Sequence, residues 1–155
     1  VPTVTIVRVS VPSWDQVVRE AAREKVTLRR SRLHGARGLW VPAQRTIWVD
    51  SRLPDHHAAP TLAHELIHAR RGDGECASDA TVERMIDQRV ARRWISRAAY
   101  ARLEHEYGGD VWMIADSLDV PVWVVQAYRR VLEREQCEPH GAGSSNGIRE
   151  VGYPA

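Results

Sequence analysis

The residues best equipped for chemistry lie together at 64–68, where the sequence reads HELIH. On an α-helix, positions four apart share a face with Cβ atoms roughly 5–6 Å apart, so His64 and His68 can aim both imidazoles at one point. Two neutral ring nitrogens at one point suit a single metal ion, and this spacing is the one used for Zn²⁺. Glu65 follows about 100° further round the helix. There its carboxylate can reach a water at the metal without becoming a ligand. The chemistry on offer is hydrolysis, with two ligands and one base. A chain of this composition meets the five-residue pattern by chance about 2 times in 100, so the neighbouring residues have to carry the rest of the argument.

A hydrolytic zinc site commonly has three protein ligands and one open position. One common extension needs a glycine at position 71 and a histidine at 74, but Arg71 and Gly74 stand there. A second route takes a Glu from the following helix, with an Asp four residues later. Glu83 and Asp87 in ERMID have that spacing and share a helical face, so Glu83 could ligate while Asp87 accepts a hydrogen bond from a ligand histidine. Glu75 and Asp79 are the alternative third ligands, and Cys76, eight residues past His68, is a weaker one.

The elements that must hold these groups can be traced from the patterning. Leu62, Ala63, Leu66 and Ile67 form an apolar stripe, and Arg70, Arg71 and Gly72 read as a cationic last turn and its glycine stop, which predicts a zinc helix over 60–71. Upstream, VTIVRV (4–9) alternates like a strand, and Ser13 caps a helix with Val17, Val18, Ala21 and Ala22 on one side. VTLRRSRL (26–33), GLWV (38–41) and RTIWVD (45–50) read as strands, the last two joined by the turn at 42–44. Downstream, Ser78 or Asp79 can cap a helix to Trp94 that buries Val82, Met85, Ile86, Val90 and Trp94. A helix at 98–107 and a compact helix pair at 111–132 follow.

The whole chain of 155 residues is the size of a single domain. The expected organisation is one domain over 1–137 that carries the metal site and a disordered Gly/Ser/Pro-rich tail over 138–155. A formal net charge of +2, with Arg interleaved among Asp and Glu, argues against a nucleic-acid partner chosen by charge alone. No run of eighteen apolar residues and no signal-like N-terminus is visible, and Cys76 and Cys137 are too few for a disulfide framework. The expected compartment is the cytoplasm.

TLAHELIHARRGD followed by ERMIDQRVARRWIS resembles the ImmA/IrrE family of small metallopeptidases found in phages, mobile elements and stress-response operons. Glu83, Asp87 and Trp94-Ile95-Ser96 match the family's glutamate ligand, its Asp or Asn four residues on, and its closing turn. Arg89, Val90 and Ser96 depart from the family's usual residues. The likeness spans roughly residues 35–97. It implies cleavage of a protein substrate, a helix-turn-helix transcriptional repressor. GLWVPAQRTIWVD resembles the family's strand pair, whose second strand forms the edge beside the cleft.

Together these readings predict an α+β, zincin-like fold. A small antiparallel sheet packs on the zinc helix, and C-terminal helices include a helix-turn-helix-like pair. His64, His68 and Glu83 hold Zn²⁺, Glu65 is the base and Asp87 orients a ligand. TIWVD is the exposed strand on which an extended peptide lies, with Ile47 and Trp48 forming part of a side-chain pocket. His105, Tyr100, Tyr107 and the His56-His57 pair are candidates for stabilising the oxyanion.

The rival reading is a DNA-binding or protein-interaction module built on the 111–132 pair, with a structural or inactive zinc site. Its second helix would expose Pro121, Val122, Trp123, Gln126 and Ala127, which are poor base readers, so direct DNA binding is disfavoured. Trp123 is instead expected at a docking contact with protein.

Overall fold

The structure is a computed structural model that describes residues 10–74 and 79–137. The strand expected over 4–9, the candidate ligands Glu75 and Cys76, the alternative cap Ser78 and the tail from 138 lie outside those residues. Helix α1 (Trp14–Arg23) begins at a reciprocal capping box: Gln16 N donates to Ser13 Oγ, and Ser13 N donates to Gln16 Oε1. Its buried side carries Val17 and Ala21.

Three strands follow: β1 (Thr27–Ser31), β2 (Gly38–Val41) and β3 (Thr46–Asp50). Their spatial order is β1-β3-β2, with β2 antiparallel and β1 parallel to β3. The sheet is therefore mixed, where an antiparallel one was expected. The connection between β1 and β3 has to carry the chain back before β3 can run parallel to β1, and β2 is that return leg. A short 3₁₀ turn (Pro42–Gln44), with Arg45 at φ 46°, then reverses the chain into β3.

This order corrects the reading of TIWVD. β3 is the central strand, hydrogen-bonded on both sides, and Ile47 is completely buried. It has no free backbone edge for a peptide. That edge belongs to β2.

Helix α2 (Asp55–Arg71) runs beneath the sheet and starts earlier than predicted, because Pro60 lies inside it rather than at its first turn. Proline removes one backbone donor. Thr61 Oγ1 meanwhile donates to the His57 carbonyl one turn back. From Ala58 to His68 every α2 residue except Glu65 is buried, so this is a core helix rather than a surface amphipathic one.

α3 (Ala80–Trp94) is capped by Asp79, which accepts from Thr81 N. It buries Ile86, Val90, Ala91 and Trp94, whereas Met85, expected inside, is 46 % exposed. Ser96 begins α4 (Arg97–Glu106) by accepting from Ala99 N.

α5 (Val111–Leu118) and α6 (Val122–Cys137) are joined through Asp119 in the left-handed region, and α6 lies along α3. The side of α6 expected to face outward is mostly turned in. Ala127 is fully buried and Trp123 packs on the core, leaving Gln126 exposed. One continuous hydrophobic cluster runs from Val17 through both α2 and α3 to Tyr128. No helix among the described residues is long and apolar enough to cross a membrane.

Candidate metal centre

α2 supplies His64 and His68 from one face, and α3 brings Glu83 and Asp87 alongside. The Nε2 atoms of the two histidines lie 3.1 Å apart. Glu83 Oε2 is 3.1 Å from His64 Nε2, and Oε1 is 3.2 Å from His68 Nε2. One ligand atom from each of the three residues falls within 4.8 Å of the others, so the group could hold a metal ion. Both histidines are buried, each with 8 % of its surface exposed.

The other ring nitrogens decide what the centre wants. His64 Nδ1 is 3.0 Å from Asp87 Oδ1, a charge contact short of full hydrogen-bond geometry, and neither of these buried atoms has a hydrogen-bond partner elsewhere. His68 Nδ1 is 2.9 Å from Asp73 Oδ2. A carboxylate can only accept, so each Nδ1 carries the hydrogen and each Nε2 of a neutral ring presents a lone pair. Two lone pairs and the Glu83 carboxylate then converge on one point, and they repel one another unless a cation lies between them. Two imidazole nitrogens and one carboxylate are a donor set that fits Zn²⁺.

A proton meets the same demand in part. Burial draws the His64 imidazole down, but the Asp87 hydrogen bond and the charges of Glu65, Asp87 and Glu83 outweigh it and hold the ring above its ordinary value.

Asp73 was not found from the sequence. α2 stops at Gly72, whose φ of 73° lets the chain double back, with Gly72 N donating to Ala69 O and Asp73 N to His68 O. That turn brings the Asp73 carboxylate under His68, where it also accepts from Arg71 Nε at 2.9 Å. The Asp73 carbonyl in turn accepts from the Trp40 indole at 3.1 Å, tying β2 to the end of α2. The only available signal was the glycine stop four residues after the second histidine.

Glu65 faces β2. Burial pushes its carboxyl above the ordinary glutamate value, and Glu83 adds to that; His64, His68 and the Trp40 backbone N–H hold it back. Gly38 makes this approach possible. A Cβ there would lie 2.9 Å from Glu65 Cγ, Glu65 Oε1 and Thr61 Cγ2, closer than real side chains come. Gly38 was read as the first residue of a strand, and its role shows only once β2 is laid against α2.

The register gives β2 a usable edge. Asp50 N donates to Arg37 O, so hydrogen-bonded pairs alternate from there and the backbone groups of Gly38 and Trp40 point away from β3. Cavities of about 250 and 510 Å³ open beside this edge, sharing Gly38, His64, Glu65 and Glu83 in their walls. Trp48 sits half-buried on β3 and Ile47 in the core; neither lines these cavities.

The residues considered for the oxyanion are also elsewhere. Tyr100 is buried, bonded to Glu104 and Arg129, and the Tyr107 hydroxyl accepts from Ser117. His105 lies on α4, and His56 and His57 lie at the start of α2. None of the five lines either cavity.

Trp123 was expected at a contact with protein, and it stands edge-on to His64 with ring centres 6.1 Å apart, while the Arg37 guanidinium lies 4.6 Å above its ring. Compared with known proteins, the chain matches no family model and no curated protein.

Proposed function

We propose that this protein is a zinc-dependent metalloendopeptidase. The observation that carries the reading is the convergence of His64 Nε2, His68 Nε2 and Glu83 on one point, with Glu65 beside them facing an open strand edge. Bound there, Zn²⁺ supplies a Lewis acid that polarises a peptide carbonyl and acidifies a water. Glu65 takes a proton from that water as its oxygen adds to the carbonyl carbon. It returns the proton to the nitrogen as the C–N bond breaks.

The peptide lies along β2. Gly38 offers its N–H and C=O, and Trp40 its C=O, while the Trp40 N–H is turned to Glu65. Backbone pairing of this kind fixes the scissile bond while asking little of side-chain sequence. Asp87 and Asp73 hold the two imidazoles in the tautomer that ligates. The likeness of TLAHELIHARRGD and ERMIDQRVARRWIS to the ImmA/IrrE family supports a helix-turn-helix repressor as the protein substrate. The α5–α6 pair is read as part of the metal-binding unit rather than as a DNA reader.

The test is cleavage of a quenched-fluorescent peptide mixture by zinc-loaded protein and by Glu65→Gln. Turnover that requires both zinc and Glu65 supports the reading. A zinc-loaded protein that cleaves neither these peptides nor a helix-turn-helix repressor contradicts it.

A further inference from the structure

Hydrolysis needs a group that meets the negative charge growing on the carbonyl oxygen. We infer that Arg37 is that group: its guanidinium hydrogen-bonds the scissile carbonyl oxygen and stabilises the charge developing there. The inference rests on the peptidase reading and adds to it a catalytic residue that the motif does not contain.

Elimination is the first support. In the walls of the two cavities at the centre, the histidines and Glu83 are used as ligands, and Glu65 is the base. Thr61 lines the smaller cavity, but its hydroxyl donates to the His57 carbonyl. The Trp123 indole N–H, buried without a partner, is a neutral donor in the same wall, and Arg37 is the remaining cationic one among the described residues there, lining the smaller cavity together with His64, Glu65 and Trp123.

Placement is the second. Arg37 directly precedes Gly38, the first residue of the edge strand, so a peptide paired with β2 passes beside it. Its guanidinium lies over the Trp123 ring, and Trp123 is perpendicular to the His64 imidazole, so one aromatic ring sets the cation relative to a ligand. Stacking covers a face of the guanidinium but leaves its N–H groups free, because they lie in its plane. Burial draws the Arg37 guanidinium below its ordinary value, and the charges of Asp87, Glu65 and Glu83 offset only part of that.

The test compares Arg37→Ala and Arg37→Lys with the wild type, using two inhibitors built on one cleaved peptide sequence. A peptidyl hydroxamate grips the metal as a planar ligand, whereas a peptidyl phosphinate carries a tetrahedral anion like the reacting centre. Affinities are read by calorimetry and zinc content by chelator competition. Removing one such donor costs about 10²–10³ in kcat, and Arg37→Ala should lose about that much with little change in KM. It should lose phosphinate affinity by about 100-fold while keeping hydroxamate affinity and zinc. Arg37→Lys, which keeps the charge without the planar fork, should fall between.

Equal loss of both inhibitors, unchanged kcat, or a loss confined to peptides with an acidic residue beside the bond would each overturn the inference. A wild type that holds zinc but binds neither compound would sink the peptidase reading, and Arg37's role with it.

Discussion

Two clusters tie α2 to its neighbours through carboxylates, and they differ in what balances the charge. At the surface, Arg70 of α2 meets Glu20 of α1 and Glu24 just past its end, and Arg93 of α3 meets Glu20 as well. Every carboxylate there already has a guanidinium, and the pair members are 23–42 % exposed. At the other cluster the carboxylates of Glu83, Asp87 and Asp73 meet imidazoles that are buried, and the inward nitrogens face one another. The first cluster is complete as it stands, while in the second His64, His68 and Glu83 turn their free atoms toward one point that could hold a cation. Carboxylates beside nitrogen bases are common to both; the buried excess of acceptors is what marks a binding site.

Substitutions can break this contrast, beginning with the largest expected effect. Glu65→Gln leaves the three ligands in place but cannot carry a proton, so turnover should fall by about 10²–10⁴ with zinc affinity nearly unchanged. Loss of zinc in that variant would contradict the separation of base from ligands. Gly38→Ala forces Glu65 and Thr61 to give way by several tenths of an ångström. Misplacing a reacting group costs up to about 10²-fold, so kcat should drop toward that limit while the metal stays bound. Wild-type kinetics for Gly38→Ala would show that Glu65 is not held against β2.

Asp87→Asn and Asp73→Asn should each weaken zinc binding by about 10–100-fold, measured by chelator competition. Comparable losses would make the two histidines equivalent. No loss for Asp73→Asn would leave Asp73 as only the partner of Arg71. Arg93→Ala is the smallest: at such an exposed pair the loss is about 0.2–1 kcal/mol in thermal unfolding, with zinc binding untouched.

This pair also sets a pH dependence. The Arg93 hydrogen bond holds Glu20 below its ordinary value of 4.5, so its contribution is complete above that pH and fades as the pH falls through the lowered value. Arg93→Ala should flatten that acid-side decline, and a zinc defect in Arg93→Ala would erase the distinction between the clusters.

Much of the centre could be read from local spacing. His64, Glu65 and His68 share one helix, and Glu83 and Asp87 share another, so a 3.6-residue period places the two histidines on one face with Glu65 about 100° round from them, and the two carboxylates of the second helix on one face. Helix stops were equally local, as at Gly72, and so was the cap at Asp79. What spacing does not carry is which elements become neighbours. TIWVD alternates like an edge strand or a central one, and only the β1-β3-β2 order makes it central.

Asp73 and Arg37 come from stretches between the expected elements and Gly38 from the first position of an expected strand, and their roles arise where β2 and α2 meet. Pro60 misled for a related reason. It marks a first turn by preference, yet a core helix with neighbours on all sides can carry the lost hydrogen bond and start a turn and a half earlier.

The central claim is that His64, His68 and Glu83 together hold Zn²⁺, and chelator competition on the purified wild type and Glu83→Ala tests it most directly. The wild type should bind one zinc per chain. Glu83→Ala should lose affinity by more than about 100-fold, beyond the range expected for an outer hydrogen-bond partner. A wild type that takes up no zinc, or a Glu83→Ala protein that binds it as tightly as the wild type, would contradict the account.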